Sequence, residues 1–402
     1  MEVLKKVAII GSGVCGAYLA NSLAAKYEVH VFEKARGLGG RSASKRQGET
    51  SFDYGVSYFS IQDPDLKSFL SAALFHENIE LLDRKIIKLD RNDKANSESR
   101  ILVPEGTTRE NAEDGVCEQC TEALFVSKPY GNSFAKALLK DIKNIFLETR
   151  IQSVVKENAG NVVEPGSLND SKYRLVLENA AEFDVDFDII ISTAPAAQSA
   201  AIYANYDDLV KGLSTVKYNP AFVLMFSLKQ SVAVFSSPAV SESISKIRDA
   251  DILKIKNSII EEIIFNHKKP LRDSNTPAFV IKASKSFTEN NLEMEHALIE
   301  EALLNEFFSI MGFDSDSIPE LGFKHLHRWL YSTPSNTVKE YADLRPRNLN
   351  DRNMISREDN SESLFLKAEN EEIYAVGDYI LGSLGVEASL LSARALARIL
   401  CV

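Results

Sequence analysis

Cysteine is scarce in this chain: four in 402 residues, at positions 15, 117, 120 and 401. Their number and spacing exclude the bridge framework that staples small secreted domains. Cys117-Glu-Gln-Cys120 is a lone C-x-x-C in a polar stretch, with no second pair and no neighbouring histidine, so it reads as two incidental loop cysteines rather than a zinc or redox site. Tryptophan occurs once, at Trp329, and cations are outnumbered, with 46 Lys and Arg against 57 Asp and Glu for a formal charge of −11. That balance argues against nucleic acid or an anionic membrane as a general partner, though a local basic cleft is compatible with it. No later stretch has the length and apolarity of a membrane span, and the expectation is a soluble, cytoplasmic protein with no obligate protein partner. A hydrophobic content of 45% supports a substantial core, in one large discontinuous domain or in two domains around a cleft.

The glycines that are present fall in an informative order. Residues 7–10 (VAII) read as a buried strand, and Gly11, Gly13 and Gly16 follow as G-x-G-x-x-G. A helical composition over 17–25 leads to a second strand, 28–33 (EVHVFE), that ends on Glu33. These are the parts of a βαβ dinucleotide fingerprint. Gly11 permits the turn, Gly13 lets backbone approach a pyrophosphate, and Gly16 allows close helix–strand packing; the N–H groups around Ser12, Val14 and Cys15 then face the phosphates. Glu33 sits where a carboxylate accepts both ribose hydroxyls, which favours a free 2′-hydroxyl and disfavours NADP. Lys5 and Lys6 before nineteen uncharged residues raise the alternative of a signal peptide. Three spaced glycines running straight into a charged strand exclude it.

Lys34 opens the next segment, KARGLGGR, which ends in Gly39-Gly40-Arg41. It resembles the second glycine motif of FAD enzymes of the amine-oxidase superfamily, where the loop crosses near the pyrophosphate and a guanidinium neutralises phosphate charge. The resemblance tightens over EKARGLGGRSASKR and FDYGVSYFSIQDP (residues 33–46 and 52–64), which are similar to the opening of the renalase-like flavoproteins. That family reads D/E-K-x-R-G-x-G-G-R-x-x-x-R-R and then F-D-x-G-A-Q-Y-F-T-x-x-D-P. Here Val56-Ser57 replaces Ala-Gln and Lys45 precedes Arg46. The resemblance implies that Ser42, Gly55 and Val56 lie at the cofactor and that Tyr58 lines the substrate cleft.

Further along, the pattern predicts a helix over 65–77, a strand over 81–89, and a polar insertion over 90–122 with a short strand near 101–103. It predicts a strand over 124–130 and a helix over 134–144 capped by Ser133. Strands are expected over 145–155 and 173–177, around a Gly/Asn/Pro-rich loop. The superfamily uses the first of these to pair backbone with the adenine edge, near Ile151 to Val154. The continuous apolar run 187–192 reads as a parallel strand, ending in Thr193-Ala194-Pro195, which is similar to the superfamily's T-x-P beneath the dinucleotide. Strands over 221–228, 262–265 and 278–284 are assigned to a separate antiparallel sheet. NHKKPLR (266–272) resembles the family's N-x-S-K-P-x-R turn, and 294–308 reads as an amphipathic helix. In 323–331 (FKHLHRWLY), strand periodicity puts Phe323, His325, His327 and Trp329 on one face, and the segment resembles the family's H-R-W-x-Y. His325, His327, Arg328 and Trp329 are therefore substrate-cleft candidates, with cleft wall or packing preferred over metal ligation because no acidic or cysteine partner lies nearby, and with core filling the alternative for Trp329. Lys282 joins them as a lysine on an apolar strand, read mainly as a packed stem with a solvated head.

The chain closes on 373–378 (IYAVGD) and a helix after Gly385, similar to the end of FAD oxidoreductases. The resemblance puts Gly377 and Asp378 near the ribityl or phosphate region and the N–H groups of Val386, Glu387 and Ala388 near the flavin. The expected fold is α/β: a Rossmann-like FAD domain of glutathione-reductase type (1–75, 124–205 and 365–402) with a mainly antiparallel α+β substrate domain (76–123 and 206–364). The implied function is renalase-like oxidation of a small reduced substrate, such as 2- or 6-dihydronicotinamide isomers of NAD(P)H. FAD is non-covalent, because no cysteine falls between Cys120 and Cys401, and O2 or another acceptor reoxidises it. Such a substrate is already at hydride-donor level, so no residue is assigned as acid or base and no metal is expected. An amine oxidase or desaturase on the same fold, or a non-catalytic flavin protein, are the alternatives.

Overall fold

Burial on both faces marks the first sheet. In a computed structural model of the chain, which describes residues 4–72, 77–82, 85–91, 100–101, 124–157, 172–179, 182–235, 242–338, 364–382 and 385–402, Val7 to Ile10, Val29 to Phe32 and Ile189 to Ser192 are buried throughout. Strand β1 (Lys6–Ile10) lies between β2 (Glu28–Phe32) and Ile189–Ser192, and parallel pairing adds Asn144–Phe146 at one side and Ile373–Ala375 at the other. Leu366–Lys367 closes the six-stranded sheet antiparallel. Helix α1 (Val14–Leu23) packs on the final helix, Val386–Leu400. A parallel sheet covered in this way is the Rossmann-like arrangement that a continuous apolar strand pattern implies.

The second sheet has seven strands, in the spatial order Leu321–Pro334, Tyr218–Leu228, Ala278–Ala283, Ile260–Phe265, Ile252–Lys256, Ile86–Asp90 and Arg100–Ile101. All pairs are antiparallel except Ile252–Lys256 with Ile86–Asp90. One face packs Phe226, Phe279, Ile263 and Ile281 against the helix His296–Ile310, through Leu303 and Phe307. The other face carries a smaller cluster of Val223, Met225, Ile264, Ala278 and Val280, with Phe52 and, half-buried, Tyr54, Tyr58 and Trp329. Among the described residues no helix is long and apolar enough to cross a membrane.

Several elements differ from the expectation. The strand expected over 81–89 is two: Ile79–Leu82 pairs with Leu124–Ser127 in a small three-stranded sheet, whereas Ile86–Asp90 joins the seven-stranded one. The run over 145–155 likewise splits into Asn144–Phe146 of the parallel sheet and Ile151–Glu157 of a two-stranded ribbon, with Glu148 at φ +53° in the turn between. An apolar run carries no mark of where a chain changes sheets. The helix after Gly131 is shorter, Ser133–Leu138, and the Ser133 hydroxyl accepts from the Tyr130 N–H instead of capping. The polar stretch before residue 256 contains the helix Glu242–Asp249 and the strand Ile252–Lys256, whose I-L-K-I-K composition alternates toward its end. Most of the insertion over 90–122, with Cys117 and Cys120, lies outside the described residues.

Candidate active site

The turn after β1 is built from glycines with three different jobs. Gly11 has φ +112°, and a Cβ there would stand 2.6 Å from Thr193 Oγ1. A Cβ on Gly16 would come within 2.0 Å of the Gly11 carbonyl oxygen, so only glycine lets α1 seat this closely. Gly13 is different: its φ of −64° suits any residue, and a Cβ there would meet nothing within 4 Å. The first intrahelical bond of α1 runs from Ala17 N–H to Gly13 O at 2.9 Å, which leaves Val14, Cys15 and Gly16 as first-turn donors. Open space thus lies where the helix presents its partial positive charge. The second glycine loop crosses the same point. Gly39 bridges to Gly13 and donates to Ser12 O at 3.1 Å, and a Cβ on Gly40 would sit 3.1 Å from Gly13 Cα.

Glu33 is buried at the end of β2. One oxygen accepts from Ser12 N–H at 3.1 Å and Ser12 Oγ at 2.6 Å, the other from Ala35 N–H at 2.9 Å. Lys34 points away and donates to Gln198 at 2.8 Å. Thr193 N–H and Oγ1 bond Ile10 O at 2.9 and 3.1 Å, so the Thr193-Ala194-Pro195 turn lies directly under Gly11; Pro195 precedes the helix Ala196–Ile202. Ile151 and Val154 bury their side chains in the main core. The Cys15 thiol is buried too, and that burial raises its pKa, making it an inert packing group.

Arg41 and Asp378 meet each other. The guanidinium is bidentate on the carboxylate, at 2.7 and 2.8 Å, and also donates to Ser332 O at 3.0 Å. The sequence reading gave each a separate task, phosphate for Arg41 and ribityl contact for Asp378. The structure joins them as a clasp between the second glycine motif, the C-terminal Gly377-Asp378 turn and the end of strand Leu321–Pro334. The Glu387 side chain has a task that the sequence reading did not include. Its side chain turns back to accept from the N–H groups of Gln62 (2.6 Å) and Asp63 (2.7 Å), and Arg394 forks onto Asp63 at 2.7 and 2.8 Å. The final helix is thereby fixed with Val386, Glu387 and Ala388 as its first turn; the first intrahelical bond is Ser389 N–H to Gly385 O.

Residues 52–58 join the two sheets. Val56 N–H donates to Arg41 O at 2.8 Å, and Gly55 is forced, since a Cβ would lie 1.8 Å from that same oxygen. Ser42, buried beside it, donates its N–H to Gly39 O. Asp53 is wholly buried and accepts from Lys269 Nζ (2.8 Å), Arg272 (2.6 Å), Ser44 Oγ (2.6 Å) and Gly131 N–H (2.9 Å). Burial alone would raise this carboxyl; Lys269 and Arg272 outweigh it and hold it at about 2. The 266–272 turn therefore anchors the second sheet on the hairpin of Ser44–Gln47 and Thr50–Asp53 and on the Gly131 turn, a role the sequence did not reveal because Asp53 is 216 positions from Lys269.

On the sheet itself, Tyr54, His327 and Trp329 form an aromatic group. Tyr54 and Trp329 stack at 5.5 Å, His327 meets Trp329 edge-on at 4.4 Å, and Trp329 Nε1 donates to Tyr54 O at 3.0 Å. Burial, with His325 and Lys45 nearby, depresses His327 to about 4, so its imidazole is neutral at physiological pH. His325 shifts in the same direction, mainly by burial. Arg328 is not part of this face: it is exposed and donates to Leu292 O at 2.9 Å. Strand alternation explains this, because Arg328 falls between two inward residues. Tyr58 hydrogen-bonds Glu262, and Lys282 reaches Glu261 at 3.4 Å. Tyr54, Asp53 and Glu262 were absent from the sequence-based candidates. The F-D-Y alternation was a signal for the first two, whereas Glu262 becomes visible only through cross-strand register.

Two comparisons bear on this arrangement. A family model for an NAD(P)-binding Rossmann-like domain matches residues 9–73. Among solved structures, a proposed protoporphyrinogen oxidase from Exiguobacterium sp. 255-15 superposes with a TM-score of 0.68 at 13% identity, covering 98% of each chain. The chain shares that fold. An oxidoreductase from Methanosarcina mazei (TM-score 0.61, 12% identity, 98% of this chain and 99% of that one) and a putrescine oxidase variant from a redesign of cofactor binding (0.65, 10%, 99% of each) have it too. The match runs the full length of the molecule, so both sheets and their relative placement belong to one architecture.

Proposed function

We propose that this chain is an FAD-dependent oxidoreductase that oxidises a small reduced substrate, with dihydronicotinamide isomers of NAD(P)H as the favoured class and O2 as the terminal acceptor. The observation that carries the reading is the open space at Gly13, bounded by the first turn of α1, by Gly39 and Gly40, and by Ser12 and Glu33. A pyrophosphate fits that cradle because, among the described residues, no hydrogen bond uses its first-turn donors and no side chain fills it. Glu33, whose oxygens accept from Ser12 and Ala35, stands beside it at the end of β2, where the reading puts the ribose, and the first turn of the final helix offers further N–H donors. Arg41 would act through its clasp on Asp378, closing the cradle rather than lying on the phosphates.

Bound there, FAD supplies a two-electron acceptor. The chain's own contribution is placement: Trp329, with Tyr54 stacked on it and neutral His327 edge-on to both, offers a partly desolvated aromatic wall, and Ser332 at the end of the same strand touches Arg41. No described side chain is assigned a proton to move. Two bench results test the assignment. Acid precipitation of the purified protein should leave all flavin in the supernatant as FAD, and turnover should release hydrogen peroxide in step with oxygen uptake. Flavin retained on the pellet would exclude the non-covalent mode, and FAD without any turnover would leave a flavin-binding protein that is not an enzyme.

A further inference from the structure

The register of the second sheet lines up one row of charged residues across the face that carries Trp329. Lys88 stands beside Lys254, Lys254 beside Glu262, Glu262 beside Lys282, Lys282 beside Val223, and Val223 beside His327. Adjacent strands are about 4.8 Å apart, so Lys282 is roughly 10 Å from His327 and Lys254 roughly 20 Å from it. The neighbouring row, Ile86, Ile252, Ile264, Val280 and Met225, is apolar and buried, and Ile264, Val280 and Met225 pack in one cluster with Phe52, Tyr54 and Tyr58. Every lysine of the charged row, in contrast, keeps contact with solvent. The border between closed core and solvent-accessible surface therefore runs between the two rows, and the lysines form its rim.

Three ammonium groups face a single carboxylate in that row. Glu262 is committed to the Tyr58 hydroxyl, and burial pushes its pKa up, toward the neutral form. Lys254 lies 5.6 Å from the centre of the Tyr58 ring, and Lys282 leans outward to Glu261, which is exposed. The face is thus net positive on a chain whose overall charge is −11.

We infer that Lys254 and Lys282, with Lys88 beyond them, are an anion subsite: they take a phosphate or carboxylate of the substrate whose flat ring lies on Trp329 and His327, and they exclude alkyl diamines. This rests on the flavin-oxidase reading and adds to it which end of the cleft reads charge. Discrimination comes from both directions, because a cation entering along this row meets like charge at each step while an anion finds paired donors.

Trp329 is the sole tryptophan and lies on the same face, so its emission reports the site without reference to flavin chemistry. The test titrates the full-length protein, as purified, with inorganic pyrophosphate, inorganic phosphate, acetate or putrescine at constant ionic strength, following that emission. Pyrophosphate should give a saturable change, weakened at least tenfold in a Lys254→Gln, Lys282→Gln double variant and retained in Lys254→Arg. Lys324→Gln, which removes a charge from the outer face of the same sheet where it pairs with Glu300, should bind as wild type does. A larger response to phosphate than to acetate assigns a phosphate group and the reverse a carboxylate; either supports the subsite. Equal binding by wild type and the double variant, or tighter binding of putrescine than of pyrophosphate, would overturn it. A lysine-dependent response in a protein that purifies without flavin would instead sink the oxidase reading and leave the anion subsite standing.

Discussion

Gly13 and Gly16 are three positions apart and answer different questions. Gly16→Val pushes a branched side chain into the Gly11 carbonyl, so it should abolish soluble folded protein or lower Tm sharply. Gly13→Val fills space that no described residue occupies, so it should fold with a Tm near that of the flavin-free wild type and contain no flavin. The ratio of flavin absorbance to protein, beside a melting curve, separates these outcomes, and full flavin occupancy in Gly13→Val would remove the cradle from the account. Asp53 carries a pH prediction. Its folded pKa, held at about 2, lies below the ordinary carboxyl value, so its contribution to stability is complete above roughly pH 4 and is lost as pH falls toward 2. That window is worth on the order of 2 kcal/mol. Asp53→Ala leaves Lys269 and Arg272 buried without their anion, at a cost of about 3–5 kcal/mol, and should flatten stability against pH over the same range. An unchanged acid limb in urea denaturation would show that another group controls it.

At the scale of elements, the final helix depends on two side chains to which the sequence reading assigned no task. Glu387 satisfies two backbone N–H groups, at Gln62 and Asp63, and Arg394 grips Asp63 from two turns further along. Glu387→Ala should destabilise the protein by about 1–3 kcal/mol by leaving those donors bare. It should also speed flavin loss, because the same helix sets where the Val386 to Ala388 N–H groups stand. Stopped-flow dilution of bound flavin gives the rate; wild-type release from a measurably destabilised variant would place the flavin away from this helix. The β1–α1–β2 unit was legible because glycine spacing, apolar runs and a terminal carboxylate all express local geometry. The split strands at 79–90 and 144–157 were not, since a run of apolar residues looks the same whether it stays in one sheet or crosses to another.

In the whole molecule, two long-range ion clusters tie the second sheet to the rest: Asp53, on the hairpin strand Thr50–Asp53, with Lys269 and Arg272, and Arg41, which pairs with Asp378 and donates to Ser332 O. Neither could be paired from the sequence, where partners stand hundreds of residues apart, although Arg41, Asp378 and the 266–272 turn had each been singled out for other reasons. The inward face of strand Leu321–Pro334 followed directly from its period of two, and the same period puts Arg328 outside. The cleft chemistry that results, a neutral imidazole and an indole beside a lysine rim, bears on substrate more than on cofactor. An anaerobic screen of flavin bleaching separates these substrates. We expect 2- or 6-dihydronicotinamide nucleotides to bleach the bound flavin far faster than monoamines, polyamines or ordinary NADH; rapid bleaching by an amine, with none by the dihydronicotinamides, would overturn the proposed substrate class.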